Sequence, residues 1–390
     1  MSKIIILTSR FPFPLTKGDR LRVFFQLQSL AKNHDIYLMA INDKKVSKFD
    51  MDQVLPYCKS IQVFVLPLYK RLYQVLISLF KSIPLQVAFF YNRSIRLQIE
   101  KSVLQIKPNA IHCHLIRTTE YVKNIAHDNI TLDFMDAFGR GIEKRELVEK
   151  NIFKRALLKY EKNQLFHYES KVFDFVHRYC IISKQDQQFI QHSRANEIEI
   201  ISNGVDFNQF YPRNVIKKYD LVFMGNIGYP PNVEAILFVA NEIIPLLKSH
   251  KPSIRFLIAG LNAAPVVKSL QSENIDVIEH FEDISDALAM SKMMIAPMKL
   301  SIGLQNKIIQ AMAMKIPCVV STLANNAIKA PNRVAIIEAN SPKEYCEEIL
   351  DLLQNEGKAN SIGEQGFDFV KRNFSWETQN ELLEKMIFEQ

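Results

Sequence analysis

Gly303, Lys307 and Gln310 recur at i, i+4 and i+7, so a helix that carries them shows all three on one face. A strand is expected to end near Pro297, a glycine-bearing loop to follow, and the helix to begin at Leu304. Free amides at such a start, Gly303 to Gln305, together with the positive end of the helix dipole, suit a phosphate. The glycine allows close backbone approach and Lys307 neutralises diphosphate charge. Gln310, one turn deeper, can hydrogen-bond ribose hydroxyls. A surface lysine on an ordinary capped helix would leave the same pattern, so the spacing alone does not decide.

Two further candidates sit at strand ends in the first half, where ligands of open α/β sheets bind. They are His112-Cys113-His114 and Asp133-Phe134-Met135-Asp136. Asp136, just past its strand, is the first choice for a catalytic side chain and His114 the second. Structural hydrogen bonding of the histidines, and an N-cap role for Asp136, are the competing readings. The His-x-His pair lacks an evident third ligand, so no metal is expected.

These residues need sheets to hold them, and the hydrophobic pattern supplies two series. Short apolar runs alternate with longer amphipathic segments, as in βα units with parallel sheets. In the first half the expected strands are Ile4–Thr8, Ile36–Ile41, Ile61–Leu66, Ala110–His114, Thr131–Phe134 and Val176–Ile182. The series restarts with Asp220–Met224, Arg255–Ala259, Asp276–Glu279, Met293–Ala296 and Pro317–Val320. Between them lies the turn-rich Ser202-Asn203-Gly204-Val205-Asp206. The chain of 390 residues therefore reads as two α/β domains, 1–205 and 206–373, followed by a helix over 374–390 that either packs back across the linker or simply closes the second domain.

Composition is that of a folded protein, with 48% hydrophobic and 23% charged residues. The net charge of +8 is unevenly placed: residues 1–205 hold 31 basic against 19 acidic side chains, whereas 206–390 hold 18 against 22. The basic half suits anionic headgroups or a diphosphate-bearing acceptor. Nucleic acid is not expected, because no recognisable module interleaves aromatics with the basic residues. The five cysteines form no CxxC pair, which fits reduced thiols of a cytosolic protein. Ile4-Ile5-Ile6-Leu7 is too short for a signal-peptide core, and no apolar run is long enough to span a membrane. The segment Tyr69 to Lys81 is apolar nearly all round with Lys70, Arg71 and Lys81 near its ends. It reads either as an interfacial helix with those cations toward the headgroups or as a helix buried against the sheet. A cytoplasmic protein, peripheral at the inner face of the membrane, is the resulting expectation.

Gln310-Ala311-Met312-Ala313 followed by Ile316-Pro317-Cys318-Val319-Val320-Ser321 resembles the EAMA-x-G-x-P-VV-x-[ST] signature of glycosyltransferase family 4. Asn203-Gly204-Val205-Asp206 with Phe210 resembles that family's interdomain NGVD…F, and Phe223-Met224-Gly225-Asn226 its F-x-G strand end. Ile258-Ala259-Gly260 is similar to the next I-x-G, and Val277 to Asp283, including Phe281, to the loop beside the base. Phe374-Ser375-Trp376 is similar to the terminal [YF]-S-W. In the first half, Arg10-Phe11-Pro12 with Lys17-Gly18-Asp19-Arg20 and Arg22 resembles the glycine loop placed opposite the donor phosphates. The matches lie nearest a bacterial exopolysaccharide and lipid-linked glycan branch.

The resemblance implies the GT-B fold, two Rossmann-like domains with parallel sheets facing a central cleft, and a metal-independent, retaining transfer from a nucleoside diphosphate sugar. Donor contacts fall on Gly18, Arg20, Gly225, Asn226, Phe281, Gly303, Leu304, Gln305, Lys307 and Gln310, with no cofactor beyond that donor substrate. The expected acceptor is a glycan or a lipid-linked glycan. Ile302 and Gln310 stand where the family commonly has two glutamates, and Asn226 where it often has an arginine. Those departures shift the donor's positive charge onto Lys307, with Arg20 or Arg22 as helper. They also admit a catalytically weak partner of another transferase. A dinucleotide oxidoreductase fits poorly, because neither glycine segment opens as GxGxxG with an acidic residue about 20 positions later.

Overall fold

The computed structural model describes residues 1–15, 17–79, 81, 83–299 and 304–388. They divide into two compact units, Met1–Ser202 with Gln379–Gln390, and Asn203–Thr378.

The sheet of the first unit has seven described strands, β1 (Ser2–Thr8), β2 (His34–Asn42), β3 (Ser60–Val65), β4 (Ala110–His114), β5 (Ile130–Asp133), β6 (Arg178–Ile181) and β7 (Glu199–Ile200). Every neighbouring pair is parallel, in the order β3-β2-β1-β4-β5-β6-β7. Strands covered on both faces read as unbroken apolar runs, and Ile4 to Leu7 are completely buried. The chain winds outward from β1 through β3 and returns beside β1 with β4. That reversal opens a crevice beyond the carboxyl ends of β1 and β4.

The second unit repeats the plan with β8 (Tyr219–Asn226), β9 (Phe256–Leu261), β10 (Ile275–Ile278), β11 (Ser291–Ala296), β12 (Cys318–Val320) and β13 (Ile337–Glu338), in the order β10-β9-β8-β11-β12-β13. Its reversal lies between β8 and β11, which pair in parallel. Gly225 and Gly260 face each other across β8 and β9 with φ of 138° and 155°. A Cβ on Gly260 would fall 1.7 Å from the Gly225 carbonyl oxygen. The two strand-end glycines of the sequence are thus one close backbone approach.

Asn203 to Val205 run beside Phe374 to Trp376. The Val205 amide donates to the Phe374 carbonyl at 2.8 Å, and Gly204 lies so close to Trp376 that a Cβ would meet its ring at 2.6 Å. Residues from Gln379 onward belong to the first unit. Leu383, Met386 and Ile387 join its core with Ile4, Ile6 and Leu27, Asn380 donates to the Phe25 carbonyl, and Glu384 meets His34 at 2.8 Å.

Candidate functional site

The reversal point of the second unit holds a cavity of about 330 Å³. Its walls come from the end of β8 (Met224, Gly225 and Asn226), from Asn232 in the helix Pro230–Phe238, from Met298 after β11, and from Gln305, Asn306, Lys307 and Gln310. Lys307 and Gln310 lie on the helix Asn306–Ala313, whose start carries no side-chain cap from Gln305. This helix begins two residues later than the periodicity suggests. Leu304 is consequently drawn into the apolar core and does not line the cavity. Gly303, and Ile302 before it, lie outside the described residues.

Lys307 is the electrostatic centre. Its side chain is 9% exposed, its Nζ donates to Asn232 Oδ1 at 2.6 Å, and it stands 4.1 Å from the centre of the Phe223 ring. No carboxylate among the described residues forms an ion pair with it. Burial lowers its pKa to about 7, since a desolvated ammonium held by an amide, a ring and the Met298 sulfur, all neutral, loses much of its preference for the charged form. Gly225 exposes its backbone close by, and a Cβ there would lie 3.8 Å from the ammonium. The buried Asn306 Oδ1 has no hydrogen-bond partner, which leaves an acceptor at the cavity wall. The arrangement is a preformed anion seat: a buried cation without a counter-charge, beside a glycine-lined backbone and a helix start.

Phe281 packs against the core of this unit and does not line the cavity. Ile284, three residues on and across the loop after β10, takes that place. Asn232, the partner of Lys307, was invisible as a functional residue. Its only sequence signal is its place after two prolines that fix a helix start.

In the first unit the strand ends after β1, β4 and β5 carry a second polar group. Arg10 Nη1 bonds Asp19 Oδ2 at 2.5 Å. Asp136 follows β5, and desolvation, reinforced by Asp186, raises its carboxyl pKa to about 7. Arg117 stacks over Phe90 and Phe138 and donates to Gln86 Oε1 at 2.8 Å. Burial, with repulsion from Arg10, lowers its pKa to about 10. Arg117 follows a strand with no helical or glycine signal, so nothing in the pattern marks it.

His114 is 2% exposed, neither ring nitrogen has a hydrogen-bond partner, and Nδ1 lies 3.7 Å from Asp133 Oδ2. Asp133 itself accepts from Arg22 Nε at 2.5 Å and from Gln26 at 3.0 Å, while Arg22 also donates to the carbonyls of Ile201 and Ser202. Arg22 therefore anchors the end of the first unit and is not a helper at a phosphate. Gly18 opens the helix Gly18–Leu30, and Arg20 lines a cavity of about 290 Å³ with Arg10, Lys17 and Arg71.

Arg71 departs from the expected membrane-facing position. In the helix Leu68–Ser78 it turns inward, 5% exposed, donates from Nε to the Leu66 carbonyl at 2.7 Å and stacks over Phe89 and Phe90. A carbonyl and two rings hold the guanidinium inside, so it is not membrane-facing. Lys70 and Lys81 are exposed, as are Leu68, Leu72, Leu76 and Leu79. Among the described residues no helix is long and apolar enough to cross a membrane.

Residues 218–355, a segment that contains all the named residues of the cavity's wall, match the family model of glycosyl transferases group 1. A 44.6 kDa protein in the cps region of Klebsiella pneumoniae is 22% identical over 96% of this chain and 97% of its own. The structure resembles Anabaena HepE in complex with UDP and glucose, with a TM-score of 0.69 at 13% identity over the whole of both chains. It also resembles WaaG, a glycosyltransferase involved in lipopolysaccharide biosynthesis, with a TM-score of 0.64 at 12% identity over the whole of both. The fold is GT-B.

Proposed function

We propose that the chain is a glycosyltransferase that moves a sugar from a nucleoside diphosphate sugar to a hydroxyl of a glycan or lipid-linked acceptor in the assembly of a bacterial surface polysaccharide. The observation that carries this is the buried Lys307 ammonium, held by Asn232 without a counter-anion in the cavity of the second unit. A donor diphosphate supplies the missing negative charge. As the glycosidic bond breaks, charge grows on the leaving oxygen, and the Lys307 ammonium, protonated once the diphosphate is bound, stabilises it from a fixed position in a desolvated site. Gln310 and Asn306 offer hydrogen bonds to hydroxyls of the nucleotide. The match to the group 1 family model and the likeness to a UDP-bound structure support UDP-sugars as the first donors to test.

On the acceptor side Asp136 is the proposed residue at the attacking hydroxyl. With a pKa of about 7 it exchanges a proton near neutrality. His114, whose ring nitrogens have no partner, is the second candidate catalytic residue. Retention of configuration and independence of metal are part of the reading. So is peripheral contact with an anionic membrane through the exposed leucines of Leu68–Ser78, flanked by Lys70 and Lys81. Exposed Leu147, Val148, Ile152 and Phe153, where the helix Phe138–Val148 turns into Ile152–Lys171, add a second apolar surface to the same basic unit.

Lys307→Ala is expected to lower turnover with the active UDP-sugar on the order of a hundredfold, the scale of losing one preorganised electrostatic partner. Turnover near that of the unaltered chain would contradict the assignment.

A further inference from the structure

Of the cavity lined by Arg10, Lys17, Arg20 and Arg71, Arg20 is the one residue named as an expected donor contact, and the cavity of the second unit has a cation of its own in Lys307. Four cations meet there. Asp43 on its wall and Asp19, paired with Arg10, are the carboxylates set against them, which leaves an excess of two positive charges. Arg71 is nine-tenths buried, yet its Nη2 has no hydrogen-bond partner, and neither has Arg20 Nε. A buried guanidinium N–H without an acceptor is costly unless a ligand completes it. The forked donors of arginine match phosphoryl oxygens.

The same cavity has an apolar exit. Leu68 lines it and begins the exposed row Leu68, Leu72, Leu76 and Leu79, spaced so that all four share one face of the helix. A ligand with an anionic phosphoryl head and a long apolar tail meets both features at once.

Resting on the glycosyltransferase reading, we propose that this cavity seats the phosphate or diphosphate of a lipid-linked acceptor, with Arg71, Arg20, Arg10 and Lys17 on its oxygens and the Leu68 row along its chain. The proposal narrows the acceptor to a phosphoryl lipid and assigns its head to the first unit.

Calorimetric titration of the full chain tests it, with farnesyl diphosphate as the probe and with inorganic pyrophosphate, farnesol and UDP as the other arms. Farnesyl diphosphate is expected to bind more tightly than pyrophosphate, and UDP not to displace it. Arg71→Gln and the exposed Lys17→Glu are each expected to weaken it on the order of tenfold or more, the scale of losing a charged hydrogen bond, with UDP affinity within about twofold of the parent. Leu72→Glu is expected to remove the advantage over pyrophosphate and leave pyrophosphate binding in place. Lys17→Glu does not disturb a buried group, so it remains informative if Arg71→Gln fails to fold. Unchanged binding by Lys17→Glu overturns the proposal, and so does one-for-one displacement by UDP. Equal competition by short-chain phosphatidylglycerol overturns it too, because the cavity would then serve membrane headgroups. Binding of UDP without farnesyl diphosphate overturns this proposal alone. Arg71-dependent binding of farnesyl diphosphate without any binding of UDP supports it and removes the donor reading instead.

Discussion

Lys307 is held in a state that ligand binding must change. Its pKa of about 7 lies far below that of a solvated lysine, because burial penalises the ammonium and its acceptors, Asn232 and the Met298 sulfur, are neutral. A diphosphate in the cavity favours the charged form and raises the pKa. The sign follows from linkage: above pH 7 the empty site is largely neutral, so anion binding takes up a proton, and affinity falls as pH rises through the value of the empty site. Calorimetry of UDP binding at pH 8 in buffers of different ionisation enthalpy is expected to show uptake approaching one proton. In Lys307→Gln the uptake is expected to vanish. In the absence of ligand, stability from this group rises between pH 7 and the unfolded value near 10.4, because over that interval the unfolded chain binds the extra proton.

At the scale of elements, the helix Leu68–Ser78 shows what a sequence reveals and what it hides. Apolar nearly all round with cations near its ends, it could be an interfacial or a buried helix, and its leucines are exposed. Its arginine could point either way. In the fold Leu66, Phe89 and Phe90 surround Arg71, and those partners are set by tertiary packing rather than by spacing. Leu72→Glu with Leu76→Glu is expected to abolish sedimentation with anionic vesicles while leaving the melting temperature within a few degrees, since both side chains are already in solvent. Lys70→Glu with Lys81→Glu is expected to weaken the same binding and reduce its salt dependence. Retained binding by the leucine pair would remove the membrane reading. The strand pair β8–β9 makes the opposite kind of prediction. Gly260→Ala brings a Cβ against the Gly225 carbonyl at a strained φ, so a loss of about 3 kcal/mol or more in chemical denaturation is expected.

For the whole molecule, the parallel strands were the most legible feature, because strands buried on both faces are nearly continuous apolar runs. Two-residue β7 and β13 were not visible, being too short to leave a pattern. The order of strand-end glycines and the Ala-rich helix located the second unit's cavity. Asn232 and Lys307 could not be paired from sequence, since they are 75 positions apart and meet only when β8 and β11 are brought side by side. The surroundings of His114 at the end of β4 were hidden for the same reason, because they depend on Asp133 in the neighbouring strand. The charge excess of the first half was plain, whereas its concentration around Arg71 required the fold.

The central claim, that the second unit's cavity binds the donor through Lys307, is tested most directly by titrating UDP into the chain and into Lys307→Ala. The expected result is one site per chain, with affinity lowered on the order of tenfold or more in the variant, the scale of a lost charged hydrogen bond. Equal affinity in the two proteins would contradict it.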